Sequence, residues 1–202
     1  MVFLSHRLAT LLFVASCTAN AVGIQGEIQN SAAWTVTGAT GKTLVLLTNL
    51  TQGKIIGLGT LEGREFHLTI PVTFKPALEP LQACPGVKSS PSEPKTYIAE
   101  QLMLFYPTQN AVALLTQADD PIDPTRRAQW MYSDRAATVK GRCTGLNTYY
   151  DLTLHVGWNA VMTVSEPSRF LVRNAAESLP YWVITKALTP ARTLFPNVFD
   201  GK

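Results

Sequence analysis

From Val22 to Ile70 apolar residues recur at every second position in short segments, a spacing that commits the chain to strands. Ile24, Gly26 and Ile28 point one way in a first segment. Thr43 to Thr48 (TLVLLT) and Ile55 to Leu61 follow, joined by Asn49-Leu50-Thr51-Gln52-Gly53. Phe66, Leu68 and Ile70 then alternate with Glu65, His67 and Thr69 until Pro71 stops the run. A two-residue repeat sends neighbouring side chains to opposite faces of a sheet, and glycine punctuation at such intervals marks an antiparallel sandwich or barrel. The expected fold class is therefore all-β, an antiparallel β-sandwich built as one domain or as two small sandwiches packed together.

The pattern breaks once. Six prolines between Pro71 and Pro94, with the pair Ser89-Ser90, predict an extended connection without ladder pairing. Thr96 could cap a short helix through Glu100, but the alternation of Leu102, Leu104 and Tyr106 favours a strand over Thr96 to Tyr106, with Ala111 to Thr116 as a partner. Asp119 to Arg127 (DDPIDPTRR) reads as a loop. Trp130 to Ser133, Thr138 to Cys143, Tyr149 to Val156 and Trp158 to Val164 make a meander, with Gly157 placed for a tight hairpin turn. A last strand spans Tyr181 to Lys186. The organisation is then a leader at 1–21, an N-terminal β-section at 22–71, a proline-rich connection at 72–95, a C-terminal β-section at 96–187 and an extended tail at 188–202.

The leader is an export address. Met1 to Arg7 ends in a basic residue, Leu8 to Ala15 is a short apolar run, and Val14-Ala15-Ser16-Cys17 fits a lipobox. The run is too short for a transmembrane helix, which needs about 20 residues. Cleavage before Cys17 would attach a diacylglyceryl group there; the alternative cut after Ala21, at Ala19-Asn20-Ala21, would release a chain starting at Val22. The first implies a lipid-anchored envelope protein, in an outer membrane, and the second a secreted or periplasmic one. Either way Cys84 and Cys143 remain in an oxidising compartment, where a disulfide is the default. Closing a loop of 59 residues stabilises by about 4 kcal/mol in the chain-entropy model. Charged residues are only 15 % of the chain and the net charge is +3, with no Lys/Arg cluster beyond Arg126-Arg127, so a nucleic-acid partner is not expected.

Two stretches resemble known families. Ile24-Gln25-Gly26-Glu27-Ile28 and Gly63-Arg64-Glu65-Phe66-His67-Leu68-Thr69-Ile70-Pro71 resemble the opening and closing strands of prealbumin-like sandwich modules of bacterial surface proteins. Trp130 to Arg135, Val139 to Cys143 and Tyr150 to Asn159 resemble a block of uncharacterised bacterial envelope lipoproteins. The resemblances imply an extracytoplasmic β-rich domain and no particular reaction.

Candidate chemistry is sparse. Asp119, Asp120 and Asp123 crowd one loop and offer hard oxygen ligands suited to calcium, although the spacing is not that of an EF-hand and a solvated turn explains it equally. His67 and His155 lack a third metal ligand at a recognisable spacing. Gly57-Leu58-Gly59 with Gly63 lies between strands rather than before a helix, so a turn is a better reading than a phosphate loop. No nucleophile elbow or zinc-protease helix is present, and Ser165 beside Glu166 lacks an ordering context. Asn49-Leu50-Thr51 is a glycosylation sequon by pattern, and with a bacterial lipobox upstream chance is the better reading. No enzyme and no obligatory cofactor is expected. The tail holds Leu194, Phe195, Val198 and Phe199 between and beyond Pro190 and Pro196; these either pack on the chain's own sandwich or dock onto another envelope protein. The sequence thus points to a non-enzymatic, membrane-anchored accessory or structural subunit of a surface-layer or outer-membrane complex. The alternative is an extracytoplasmic binder of an apolar or lipid ligand.

Overall fold

The N-terminal strands take the faces their alternation requires. The computed structural model describes residues 21–30, 42–185 and 187–199, so Cys17 and the leader before Ala21 lie outside the described residues. The strands are β1 (Val22–Glu27), β2 (Leu44–Asn49), β3 (Lys54–Glu62) and β4 (Glu65–Ile70). Next come β5 (Glu79–Pro80), β6 (Val87–Ser90), β7 (Lys95–Ala99), β8 (Gln101–Tyr106) and β9 (Ala111–Ala118). The remainder are β10 (Arg126–Ser133), β11 (Ala137–Arg142), β12 (Thr148–Leu154), β13 (Gly157–Glu166), β14 (Arg169–Asn174), β15 (Tyr181–Val183) and β16 (Thr189–Pro190). Two single-turn helices close the chain, α1 (Ala191–Leu194) and α2 (Pro196–Phe199). The fold is all-β and sandwich-like, made from one sheet of 16 strands that rolls on itself.

The rolling can be followed along the ladder. β1 pairs β4, then β3, β2, β8 and β9 follow, each antiparallel to the last. β9 also pairs β15, and Ile28 makes a parallel bridge to Tyr181, which returns the path to β1. Asn30 pins this closure: its Nδ2 donates to the Val183 carbonyl and its Oδ1 accepts from the Val183 amide, both at 2.9 Å. Ile28, Val45, Leu68, Leu104, Ala113 and Leu115 fill the enclosed space, each at 2 % exposure or less. The interior is therefore a packed core drawn from both the 22–71 and the 96–187 sections.

The second half opens from β10, which pairs β7, β9 and β13, and continues through β14, β12, β11 and β6. Met131, Val139, Leu152, Leu154 and Val161 form its own core, with Leu81 inserted from the proline-rich connection. The Cys84–Cys143 bond ties that connection to the end of β11, with Cα atoms 5.4 Å apart.

The structure corrects several sequence expectations. The 72–95 connection is not free of pairing, because β5 joins β7 and β6 joins β11. Both are edge strands with one neighbour, where a proline's missing N–H faces away from the ladder, and β6 falls in the gap between Pro85 and Pro91. Thr96 to Tyr106 is two strands rather than one. The chain steps at Glu100, whose amide donates to the Thr48 carbonyl at 2.9 Å, so that β7 serves β10 while β8 serves β2 and β9. Gly57 to Gly59 lie within β3, and the turn comes at Gly63.

Gly157 does not make a hairpin. β12 pairs β11 and, in parallel, β14, whereas β13 pairs β10 and β14. Gly157, at φ +97°, turns a corner between two parts of the sheet, and Asn159 holds the corner by accepting from the His155 amide and donating to the His155 and Gly157 carbonyls. The last strand, expected to reach Lys186, spans Tyr181–Val183. Beyond it the Ile184 amide still donates to the Leu114 carbonyl at 3.0 Å, but the Leu114 amide donates to the Thr185 hydroxyl rather than to a backbone carbonyl. Lys186 lies outside the described residues. The tail is not extended: after the β16 bridge to β9 it coils as α1 and α2.

Candidate functional site

The acidic loop between β9 and β10 is a self-braced turn. The Thr125 hydroxyl donates to Asp119 Oδ2 at 2.6 Å, and the Arg126 amide donates to Asp119 Oδ1 at 2.9 Å. The Arg126 guanidinium reaches Asp119 at 3.2 Å and also pairs with Glu177. Burial alone would push the Asp119 carboxyl up; the bonds from Thr125 and Arg126 outweigh it and bring it down to about 2. Asp120 Oδ1 accepts the amides of Ile122 and Asp123 at 2.7 and 2.8 Å, and these bonds hold its carboxyl below the usual range. Two of the three carboxylates expected to suit calcium, those of Asp119 and Asp120, thus bind their own loop. Among the described residues no group of three or more metal-ligating side chains converges. The bracing leaves Ile122 at the tip, 91 % exposed.

Several concave regions flank the sheet, among them an open one of about 760 Å³ over β1, β3 and β4 that includes His67. One groove, of about 510 Å³, is lined by Ile98, Met131, Leu152, Val172, Tyr150 and Phe170, with Gln129, Glu79 and Glu100 as polar members. A narrower cleft of about 180 Å³ opens where the chain steps from β7 to β8, around Trp130, Tyr181 and Gln101. It continues into a neighbouring cleft of about 400 Å³ that shares Trp130 and Tyr181. The amides here already serve the sheet: Gln101 donates to the Leu102 and Leu115 carbonyls, and Gln117 to the Leu179 carbonyl. Among the described residues, neither the groove nor the narrow cleft is lined by His or Cys.

The histidines are far apart in the pairing scheme. His67 stands on the outer face of β4 within hydrogen-bond reach of the Thr69 hydroxyl at 3.5 Å, and His155 follows β12. The Asn49 side chain is 5 % exposed and engaged with the Ile98 carbonyl and the Gln52 amide, so the sequon amide is spent inside the fold.

The tail residues divide. Phe195 and Phe199 pack with Leu46, Met103 and Val112 on the outer face of β2, β8 and β9, and the Phe199 ring lies 4.7 Å from that of Phe105. Val198 is half-buried and Leu194 is 52 % exposed. The tail aromatics therefore cover the chain's own sheet, leaving Leu194 as the open apolar group. Sequence reading singled out the tail and the aspartates but missed Ile122, whose only signal was an apolar residue between two Asp/Pro pairs. Comparison with protein-family models, curated proteins and solved structures finds no match to this chain.

Proposed function

We propose that this protein is a non-enzymatic, membrane-anchored cell-envelope protein that serves as an accessory or structural interaction subunit of a surface-layer or outer-membrane complex. The observation that carries this reading is Ile122, held out at 91 % exposure by a loop that commits two carboxylates to its own backbone. An apolar side chain presented on a braced loop is a pre-organised anchor, because little ordering remains to be done on docking. The packed interior of the rolled sheet favours recognition on outer surfaces over an enclosed chamber. The Cys84–Cys143 bond fits an oxidising compartment.

Affinity isolation from gently solubilised membranes tests the interaction reading. Wild-type protein should return with a stable companion that Ile122→Asp loses; recovery of both as lone monomers would overturn it. Mass spectrometry of the mature N-terminus tests the anchor, since an unmodified chain starting at Val22 rejects the lipoprotein and leaves a secreted or periplasmic protein.

A second reading, binding of an apolar or lipid ligand, is favoured by the 510 Å³ groove, a volume within the usual range for small-molecule sites. Under that reading a long-chain fatty acid should raise the melting temperature, and Val172→Trp, by filling the groove, should abolish the rise.

A further inference from the structure

Register places a row of charges across the outer face of β14, β12, β11 and β6. Arg173 lies beside Asp151, Asp151 lies opposite Lys140, and Lys140 lies opposite Lys88. One step along the strands, Arg142 faces Tyr149 with its guanidinium 5.5 Å from the ring centre, and Arg169 begins β14 on the same face. Five basic side chains thus share this face with two carboxylates. Asp151 pairs with Lys140 at 2.9 Å and Glu166 with Arg169 at 2.5 Å. Among the described residues Arg142 hydrogen-bonds to neutral partners, the Leu146 carbonyl and the Asn147 side chain. The excess of three positive charges equals the formal net charge of the whole chain, +3, so the remaining charges sum to zero.

Like charges directly opposite on neighbouring strands are destabilising. Lys88 against Lys140 is such a pair, and nothing in the packing of two exposed lysines requires it. At the end of the same face, where β11 turns into β12, Leu146 is 57 % exposed, beside Arg142, whose Nε donates to the Leu146 carbonyl. Basic side chains beside an amphipathic tyrosine and an exposed apolar tip match the chemistry of an anionic bilayer surface, where headgroup phosphates meet the first acyl carbons.

We propose that this face lies on an anionic lipid surface, with Lys88, Lys140, Arg142 and Arg173 over phosphate-bearing headgroups and Leu146 at the interfacial layer. The inference rests on the membrane location proposed above and assigns the side of the molecule that faces it. An acidic protein or other soluble polyanion would satisfy the charges but would leave the exposed Leu146 without a role.

The test uses the full chain carrying Cys17→Ser, to which no acyl group can be attached, with vesicles of phosphatidylcholine alone or mixed with phosphatidylglycerol. The readout is the change in the ratio of the two affinities between this chain and its variants, because the leader, with its basic Arg7, contributes equally to each of them. At about fivefold per basic residue near the surface, an excess of three charges should favour mixed vesicles about a hundredfold. Lys88→Gln with Lys140→Gln should reduce that ratio about thirtyfold, and raising the salt should erase it. Leu146→Ser should weaken binding to mixed vesicles while leaving the salt dependence intact. Equal affinity for the two vesicles, an unchanged ratio in the double variant, or capture by soluble heparin with no vesicle binding would each overturn the proposal. Mass spectrometry of the wild-type N-terminus reads the anchor separately, so loss of the anchor reading is distinguishable from loss of this one.

Discussion

Tyr97 and Gly26 show how single side chains carry the fold. The Tyr97 ring packs beside Phe74 and Trp158, at centroid distances of 5.7 and 6.4 Å, and its buried hydroxyl has no hydrogen-bond partner among the described residues. Burial, helped by the Glu100 carboxylate, pushes its pKa up to about 12, and burial does the same to Tyr181. A raised folded-state value means that the unfolded chain ionises first. The stabilisation is fully present below the ordinary tyrosine value of 10.0 and is lost as pH climbs toward 12. Urea midpoints should therefore hold steady up to about pH 10 and fall beyond it. Tyr97→Phe should stabilise the protein by about 1 kcal/mol, since it removes an unpaired hydroxyl at almost no loss of volume, and should soften the alkaline fall. A destabilised Tyr97→Phe would mean that the hydroxyl has a partner. Gly26 makes the opposite case. It sits opposite Phe66, and a Cβ there would come within 2.3 Å of the Tyr181 ring, which stands edge-on to Phe66 at 4.8 Å. Gly26→Val should cost about 1–3 kcal/mol through overpacking, read by urea denaturation.

Among the elements, the short and irregular ones hold the large sheet in shape. The Cys84–Cys143 bond closes a loop of 59 residues and fastens β6 and the inserted Leu81 to β11. Replacing both cysteines by serine should lower stability by about 2–5 kcal/mol, visible as a shifted denaturant midpoint. The effect should concentrate in hydrogen exchange of β6 and β11. The tail has a comparable role. β2 reads LVLLTN and β8 QLMLFY, continuous apolar runs of the kind that strands buried on both faces require. Their inner residues fill the rolled core, and the outer ones are covered by Phe195 and Phe199. Phe199→Ala should therefore cost about 1–2 kcal/mol in the isolated protein, from lost apolar burial and the ring contact with Phe105. An unchanged midpoint would show that the tail is not part of the fold. The unbroken run in β2 was already a sign that its outer face needs a cover. What that run could not say is which segment supplies it.

At the scale of the whole molecule, two features of the surface point outward, the braced Ile122 loop and the positive face with its exposed Leu146. Ile122→Asp should leave the unfolding midpoint within about 0.5 kcal/mol of wild type, as surface substitutions do, while reducing the companion protein recovered from membranes. A change in stability would place Ile122 in the fold instead. Much of this architecture was legible in the chain. The all-β class, most strand positions and the disulfide followed from a two-residue repeat and an even pair of cysteines, because side-chain direction in a strand is a local property. The partner of each strand was not. Alternation says which face a residue takes but never which neighbour the backbone meets. That is why Gly157 read as a hairpin, why Thr96 to Tyr106 read as one strand and why β5 and β6 went unseen. The carboxylates of Asp119 and Asp120 looked like open ligands for the same reason, since their partners are amides that only the folded loop presents. Closure of the sheet through Asn30 and Val183, 153 positions apart, was decided only in three dimensions, where one core could satisfy both halves at once.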